Sequence, residues 1–314
     1  MIDIIIPAYN AHDFIENALS SILIQTKLSS LHVYIVNDCS DKDYSEQINK
    51  YKDKMNITEL KTTKNVGPGG ARSYGLDHSN GEFVVFIDAD DIFSGTYSIE
   101  DMINNIDDAD YIVTDFMEIV GDNSYIHYDN DVWMHGKMYR RRFLDEYNIR
   151  FNNTSANEDT GFNTLVLMCS KKRKYVDYLT YIWRYNDNSI TRKNNHEFEF
   201  SGLKGFIDNI CWAVKEAEKR NIEENIIGKI VYESILEIYY NYIKFYNNDK
   251  KDELLKWCIE LKELYLKYID KLNDQEKEEC ENKIVEKGIK IAGSYAVIQN
   301  RISFYDFLDK IFVE

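Results

Sequence analysis

Three aspartates close together near residue 90 are the residues of this chain best suited to metal or acid–base chemistry. Asp88, Asp90 and Asp91 follow directly after Phe83–Ile87, a run of apolar and aromatic residues. Clustered carboxylates repel one another unless a cation neutralises them, and hard divalent cations prefer oxygen ligands. The pattern therefore predicts a site for a divalent cation. The same residues also suit an acidic turn that caps a helix, which is the simplest role for Asp91.

The strand that positions these aspartates is one of four predicted strands, each followed by a polar turn. A short β-prone run without polar alternation, such as Phe83–Ile87, is typical of a strand buried on both faces of a parallel sheet. The other strands are predicted at Ile2–Ile6, His32–Val36 and Ile57–Leu60, and helices at Lys42–Lys54 and from Ala71 towards His78. Alternating strands and helices predict an α/β fold with a mainly parallel sheet. The carboxyl ends of its strands would bring Asn10, Asp38 and Asp88 to one edge.

Glycine is concentrated in the segment Gly67–Gly70, which reads Gly-Pro-Gly-Gly. Two familiar phosphate-binding motifs do not fit it, because the third glycine of the dinucleotide fingerprint is missing and no GxxxxGK(S/T) sequence occurs. We expect a tight loop here. Its glycines suit either unusual backbone angles or close approach of the backbone to a ligand at the N-terminus of the next helix.

A second acidic pair, Glu158 and Asp159, opens a predicted helix that follows Asn157. Acids at a helix start ordinarily complement the helix dipole, and here one carboxylate could equally face the cleft. Before this helix, the stretch Asp129–Leu144 is dense in aromatic and basic residues. After it, a β-like segment at Tyr175–Tyr185 leads into a polar loop.

The composition of the 314 residues excludes several classes of protein. The net charge of −16 argues against a general nucleic-acid binder, which needs Lys and Arg to neutralise phosphates. Five scattered cysteines without a CxxC pair indicate neither a disulfide framework nor a zinc site. No secretory signal is apparent at the start, and no run reaches the ~18 apolar residues of a membrane span. We therefore expect a cytoplasmic protein.

The character of the sequence changes near residue 196. We expect a catalytic domain at 1–195 and a helical region at 196–314, because long amphipathic stretches with few glycines follow the change. Asn273 is predicted to cap one helix, and a last helix is predicted at Ser303–Phe312. The helical region would pack on the first domain or form the seam of a homodimer, and its many tyrosines suit the second role.

The chain resembles glycosyltransferase family 2, a group of inverting, nucleotide-sugar-dependent enzymes with a GT-A type fold. The resemblance covers about residues 1–192 and rests on seven short motifs in the family's order. These are IIIPAYN (4–10), VNDCSDKD (36–43), NVGPGGARSYGL (65–76), FIDADD (86–91), HGKMYRRRFL (135–144), NEDTGF (157–162) and RYNDNSIT (184–191). It implies a three-layer GT-A catalytic domain and a Mn²⁺ or Mg²⁺ cofactor.

The resemblance also implies roles for individual residues. The residues implied for the nucleotide sugar are Pro7, Ala8, Tyr9, Asp38, Asn65, Gly67, Arg72, Asp88, Ala89, Arg184 and Ser189. Asp90 would ligate the metal with help from Asp88, and Asp159 would be the catalytic base. The loop that begins at Arg184 departs from many relatives, since Asn186 or Asn188 stands where they carry histidine or arginine. Contacts of this loop with metal and diphosphate are therefore in question.

The function predicted from these features is metal-assisted transfer of a hexose or N-acetylhexosamine from a UDP-sugar to a glycan or lipid-linked acceptor. The acceptor is expected near Trp133, His135, Lys137, Tyr139 and Glu158, because sugars stack on aromatic faces. Two alternatives stay open, a nucleotidyltransferase and a non-catalytic protein that binds nucleotides or glycans. The basic segments Arg140–Arg142 and Lys171–Lys174 would suit peripheral association with the inner face of a membrane.

Overall fold

The structure is a computed structural model and describes residues 1–154, 157–184, 186, 197–246, 250–293 and 302–313. The chain divides into two compact units, Met1–Arg192 and Lys193–Glu314. That the chain consists of two domains which meet at 195/196 stays a prediction.

The first unit contains strands and helices in alternation. Its strands are β1 (Ile2–Ala8), β2 (Leu31–Asn37), β3 (Ile57–Lys61), β4 (Phe83–Phe86), β5 (Ile92–Phe93), β6 (Tyr111–Val120), β7 (Asn123–His127), β8 (Lys137–Arg140) and β9 (Arg173–Trp183). Its helices are α1 (Ile15–Leu23), α2 (Ser45–Tyr51), α3 (Gly67–Asp77), α4 (Ser98–Asn105), α5 (Arg141–Glu146) and α6 (Glu158–Cys169).

The described strands form one mixed sheet in the order β3-β2-β1-β4-β8-β6-β9-β5, and β7 pairs with β6. The first four strands of this order are parallel, so their carboxyl ends meet at one edge. Strand β8 lies antiparallel between β4 and β6, whereas β6 and β9 are parallel. The predicted α/β fold is confirmed, and the four predicted strands lie within two residues of their expected bounds.

Strand β1 lies at the centre of the core and is buried on both faces. Ile4 and Ile6 belong to the same apolar cluster as Leu19 of α1. Ile5 points to the opposite face, where α3 approaches so closely that a Cβ on Gly75 would lie 2.6 Å from its Cγ2. The stretch Ile4–Ile6 is therefore apolar throughout, because neither face of the strand meets water there.

The predicted tight loop at Gly67–Gly70 is wrong, because these residues form the first turn of α3. Gly67 enters the helix with φ +77°, a conformation that glycine adopts readily. Pro68 follows in the first turn, where a missing N–H costs nothing. The Asp38 carboxylate accepts hydrogen bonds from the N–H groups of Val66 and Gly67, at 2.9 and 2.8 Å, and so holds the start of the helix.

The second unit is helical throughout the described residues. Its helices are α7 (Glu197–Lys219), α8 (Glu224–Lys244), α9 (Lys250–Trp257), α10 (Ile259–Tyr268), α11 (Asp274–Ala292) and α12 (Phe304–Val313). The predicted cap at Asn273 is confirmed by a reciprocal pair of hydrogen bonds with Glu276. Among the described helices, none is both long and apolar enough to cross a membrane.

Most basic side chains of the segments Arg140–Arg142 and Lys171–Lys174 contact carboxylates or backbone carbonyl groups within the first unit. Arg141 donates to the carbonyl oxygens of Gly81 and Leu76 and to the buried Asp3. Lys172, Arg173 and Lys174 form ion pairs with Asp108, with Asp129 and Asp131, and with Asp107 respectively. These side chains tie loops to the sheet, and their attraction to a membrane stays a prediction.

Two glycines with similar backbone angles give a test of this packing. Gly136 (φ +63°) precedes β8, and a Cβ there would lie 2.7 Å from the backbone oxygen of Thr114. Gly121 (φ +59°) has nothing within 4 Å of the same position. We expect Gly136→Ala to lower the free energy of unfolding by about 1–3 kcal/mol more than Gly121→Ala does, because only the first adds a clash to the backbone strain.

Chemical denaturation of both variants and the wild-type protein measures this difference. Equal destabilisation by the two substitutions would show that backbone strain alone decides the effect.

Candidate active site

Arg72 of α3 joins the two acidic segments that the sequence analysis singled out. Its guanidinium donates from Nη2 to Asp88 Oδ1 and from Nη1 to Glu158 Oε1, both at 2.6 Å. Asp88 follows β4, and Glu158 begins α6, so carboxylates 70 residues apart in sequence meet on one cation. Arg72 itself is 3% exposed. We call these three residues the arginine bridge.

Burial and charge oppose each other within the arginine bridge. Burial lowers the pKa of Arg72, but the Asp88 and Glu158 carboxylates raise it above its ordinary value, so the guanidinium stays charged. Burial likewise raises the pKa of Asp88, but the charge of Arg72 and its hydrogen bond bring it below its ordinary value. Arg72 Nε is buried without a hydrogen-bond partner among the described residues. Arg72 and Asp88 are thus both ionised.

Asp159 lies next to the bridge and has a different protonation behaviour. Burial, and then the negative charge of Glu158, raise the pKa of Asp159 to about 7. One of its oxygens, Oδ1, accepts a hydrogen bond from the Thr160 N–H at 2.8 Å. Asn157 precedes the acidic pair in the left-handed conformation (φ +57°), which asparagine tolerates better than most residues. A carboxylate with such a pKa suits a general base at neutral pH.

Asp88, Asp91 and His135 form a cluster in which one ligand atom from each lies within 4.8 Å of the others. Burial lowers the pKa of His135 to about 3, so its imidazole is neutral and can offer a nitrogen lone pair. Burial, and then the charges of Asp88 and Asp90, raise the pKa of Asp91 well above its ordinary value. Carboxylate oxygens suit Mn²⁺ or Mg²⁺ and a neutral imidazole suits transition-metal ions, so the residues present fit a divalent cation.

The predicted role of Asp91 as a helix cap is wrong. Asp91 is fully buried, and the two-residue strand β5 follows it instead of a helix. Its Oδ2 accepts a hydrogen bond from Tyr181 Oη at 2.6 Å, and its Oδ1 accepts one from the Arg184 N–H at 2.8 Å. Tyr181 Oη also accepts from the Asp88 N–H at 3.2 Å. Asp91 therefore ties the acidic turn to the end of β9.

Asp90, the predicted metal ligand, lies outside the cluster of three. Its Oδ2 accepts a hydrogen bond from Asn186 Nδ2 at 2.7 Å. Asn186 is one of the two asparagines, with Asn188, that the resemblance places where many relatives carry histidine or arginine. The polar loop is thus tied to the acidic turn at two points, Arg184 and Asn186. Ser189 and Asn188 lie outside the described residues.

The residues predicted to bind the nucleotide lie at the edge where the parallel strands end. Asp38 lies beside the end of β1, because its N–H donates to the Ala8 carbonyl at 2.9 Å. Its carboxylate accepts hydrogen bonds from Thr62 Oγ1 as well as from the turn before α3. Asn65 donates to the Asp38 carbonyl at 3.4 Å. Tyr9 is 56% exposed at this edge, whereas Pro7 lies within β1 and pairs with β2.

Other features of this edge are Ala89 and Cys39. Ala89 is buried in the acidic turn. Cys39 follows Asp38 with φ +62° and is exposed, whereas the other four cysteines of the chain are buried.

The residues predicted to contact the acceptor differ in exposure. Trp133 is half-buried in an aromatic cluster with Phe116, His127, His135, Tyr181 and Trp183, whose neighbouring ring centroids are 4.5–6.3 Å apart. Lys137 is almost wholly buried, donates to the Trp133 carbonyl, and has a pKa lowered to about 7 by burial. Tyr139 is fully buried and donates to Asn163 Oδ1 at 2.6 Å. The acceptor roles of these residues stay predictions.

Tyr181 is the site residue that the sequence did not single out. It belongs to a strand that was predicted, but nothing local to Tyr175–Tyr185 shows which tyrosine faces the aspartates. Only the pairing register of β9 with β6 identifies this tyrosine, because it places Tyr181 opposite Phe116 of the core.

The first half of the chain matches a known family. Residues 3–158 match the sequence model described as glycosyl transferase family 2, and the chain belongs to that family. The motifs quoted above from residues 4 to 144 lie within the matched range.

Curated relatives share part of the chain. Glycosyltransferase GlyA of Streptococcus pneumoniae is 26% identical over 224 residues, which are 61% of this chain and 31% of GlyA. The poly(ribitol-phosphate) β-N-acetylglucosaminyltransferase TarS of Staphylococcus aureus is 35% identical over 91 residues, which are 28% of this chain and 16% of TarS. The chain thus spans less than a third of either relative.

Solved structures show the same fold. The crystal structure of a fragment of S. aureus TarS in complex with UDP-GlcNAc has a TM-score of 0.70 at 17% identity, covering 94% of this chain and 91% of that one. A mannosyltransferase from Pyrobaculum calidifontis, solved with GDP-Man and Mn²⁺, has a TM-score of 0.56 at 12% identity, covering 99% and 84%. The predicted GT-A type fold is confirmed.

The arginine bridge gives a stability prediction with a matched control. We expect Arg72→Met to lower the free energy of unfolding by about 3 kcal/mol, because it leaves two carboxylates without their buried cation. Arg150 also pairs with two carboxylates, Asp77 at 2.7 Å and Asp145 at 3.2 Å, but at the surface. Arg150→Met should cost less than about 1 kcal/mol in urea denaturation. Similar losses from both substitutions would contradict a special role for the bridge.

Proposed function

We propose that this protein is an inverting glycosyltransferase that moves a hexose or N-acetylhexosamine from a UDP-sugar to a glycan or lipid-linked acceptor. The observation that carries the proposal is the arginine bridge, which holds the aspartates after β4 beside the acidic pair of α6. One site thus combines a cluster suited to a cation with a carboxylate suited to a general base. Family membership and the UDP-GlcNAc complex of TarS support this assignment.

The donor nucleotide would lie along the edge formed by the ends of β1 and β2. Tyr9 would stack on the nucleobase. Asp38 would accept a hydrogen bond from an N–H group of the base while it continues to hold the start of α3. The other residues proposed to line the nucleotide sugar are Pro7, Ala8, Asn65, Gly67, Arg72, Asp88, Ala89, Arg184 and Ser189. The start of α3 contributes N–H groups and a positive dipole end, which favour an anionic diphosphate.

Asp90 and Asp88 would hold a Mn²⁺ or Mg²⁺ ion, with His135 and Asp91 close to it. A bound divalent cation stabilises negative charge that develops on a leaving diphosphate. Tyr181 and Arg184 keep Asp91 fixed, so the acidic turn retains its shape when one of its carboxylates binds a ligand. The Asn186 amide steadies Asp90 in the same way.

Asp159 would act as the general base. As the acceptor oxygen forms its bond to the anomeric carbon, the bond from that carbon to the diphosphate oxygen breaks. The acceptor hydroxyl proton passes to the Asp159 carboxylate. Attack from the face opposite the leaving group inverts the configuration, as in inverting glycosidases. Trp133, His135, Lys137 and Glu158 are proposed to line the acceptor, and a homodimer through the C-terminal helices stays a prediction.

Replacing Asp159 tests this assignment. We expect Asp159→Asn to lower the transfer rate by at least about 10²-fold, because the amide cannot accept the proton. Binding of a UDP-sugar in the presence of Mn²⁺ should be unchanged in calorimetry. Transfer by the variant at a rate close to wild type would exclude Asp159 as the base.

The same variant separates a catalytic role from a structural one. The folded-state pKa of Asp159 is about 7, above its ordinary value of 3.8, so ionisation of Asp159 destabilises the folded state as pH rises through this window. The neutral amide escapes this cost. We expect Asp159→Asn to be more stable than wild type at pH 8, on the order of 1 kcal/mol, and to lose that advantage near pH 4. A destabilised variant at pH 8 would point to a structural role.

The pH dependence of transfer follows from the same group. A base must be deprotonated to act, so kcat/KM for the acceptor should rise tenfold per pH unit below about 7 and level off above it. Initial rates measured between pH 5 and 9 at saturating donor and Mn²⁺ would show this rise and the plateau that follows it. A flat profile over that range would contradict a base with a raised pKa.

A further inference from the structure

We propose that the sheet beyond the acidic cluster binds a second sugar unit of the acceptor. The surface concerned is Tyr125, Glu118 and Trp183, which lie side by side on three neighbouring strands and which we call the outer row. This inference rests on the proposed function and extends it, because it makes the acceptor an oligosaccharide of pyranose units.

Strand pairing defines the outer row. Glu118 of β6 pairs with Tyr125 of β7 on one side and with Trp183 of β9 on the other. Residues paired across strands project from the same face of a sheet. Since neighbouring strands are about 4.8 Å apart, the two aromatic residues flank the carboxylate at a separation of roughly 10 Å between their backbones.

Buried residues on the same face of the sheet connect the outer row to the acidic cluster. Two residues inward on the same face, Phe116 pairs with His127 and with Tyr181. Tyr181 is the residue whose hydroxyl contacts Asp91 and the Asp88 N–H. Two residues along a strand span roughly 7 Å, a distance that one or two linked pyranose units would cover. Phe116 and Tyr181 are buried, so a sugar on the outer row would lie beyond them, one or two units from the sugar that reacts.

The chemistry of the outer row suits a pyranose. Tyr125 is 54% exposed, and Trp183 is half-buried with its ring 5.3 Å from that of Trp133. Aromatic faces carry partial negative charge and attract the C–H groups of a sugar ring. Glu118 contacts His127 at 3.1 Å, and a carboxylate accepts several hydrogen bonds at once, which suits the hydroxyl groups at the rim of a sugar.

The test uses the 314-residue chain with UDP and Mn²⁺, and measures binding of four probes by calorimetry. The probes are chitotetraose, cellotetraose, maltotetraose and the monosaccharide N-acetylglucosamine. We expect at least one tetrasaccharide to bind, and the monosaccharide to bind at least about tenfold more weakly because it cannot occupy two positions. Tyr125→Ala and Glu118→Gln should each weaken tetrasaccharide binding roughly tenfold and leave UDP binding unchanged.

Tyr97→Ala is the matched control, because Tyr97 is 60% exposed in the same unit but lies outside the outer row. It should leave tetrasaccharide binding unchanged. The proposal is overturned if no tetrasaccharide binds to the wild-type protein or if Tyr125→Ala binds as wild type does. It is also overturned if Tyr125→Ala leaves tetrasaccharide binding unchanged and alters only the mass of the particle in sedimentation. The outer row would then be a contact between two copies of the chain. Failure of the wild-type protein to bind UDP would instead count against the proposed function.

Discussion

The interaction on which the site depends is the contact of one buried guanidinium with two carboxylates. Taking the side chains of Arg72 and Glu158 out of water is costly, and attraction between bridge partners repays that cost only with close geometry. Arg72 meets this condition with two bonds of 2.6 Å, so the bridge contributes order more than stability. It fixes α3, the turn after β4 and the start of α6 relative to one another. The acidic pair of α6 therefore has one position against the aspartates.

Features decided by local apolar pattern could be predicted from the sequence. The runs at β1 and β4 are buried on both faces, so they contain no polar alternation and can be recognised alone. The polar residues after each run then follow from the geometry of parallel strands, which end at one edge. The Asn273 cap is also local, because both partners lie within one helical turn. The fold and the general place of the candidate site thus follow from the sequence.

Features decided by distant partners could not be predicted. The composition of Gly67–Gly70 is typical of a loop. These residues begin a helix because Asp38, about 30 residues earlier, accepts hydrogen bonds from the N–H groups at its start. The sequence around Asp91 is typical of a helix cap. Its carboxylate instead accepts hydrogen bonds from the Tyr181 hydroxyl and the Arg184 N–H, some 90 residues later. Spacing within a short segment carries no information about such partners, since register and crossover bring them together. The basic segments show the same limit, because their acidic partners come from other loops.

The exposed Cys39 has a practical consequence. It directly follows Asp38 at the edge proposed for the nucleobase, and the remaining cysteines are shielded inside the protein. A maleimide fluorophore would therefore attach at one position without any engineering of the chain. Its emission would report ligand occupancy in real time, and protection of the thiol from alkylation would give an independent footprint. The native sequence thus contains an attachment point for a spectroscopic probe beside the proposed nucleobase edge.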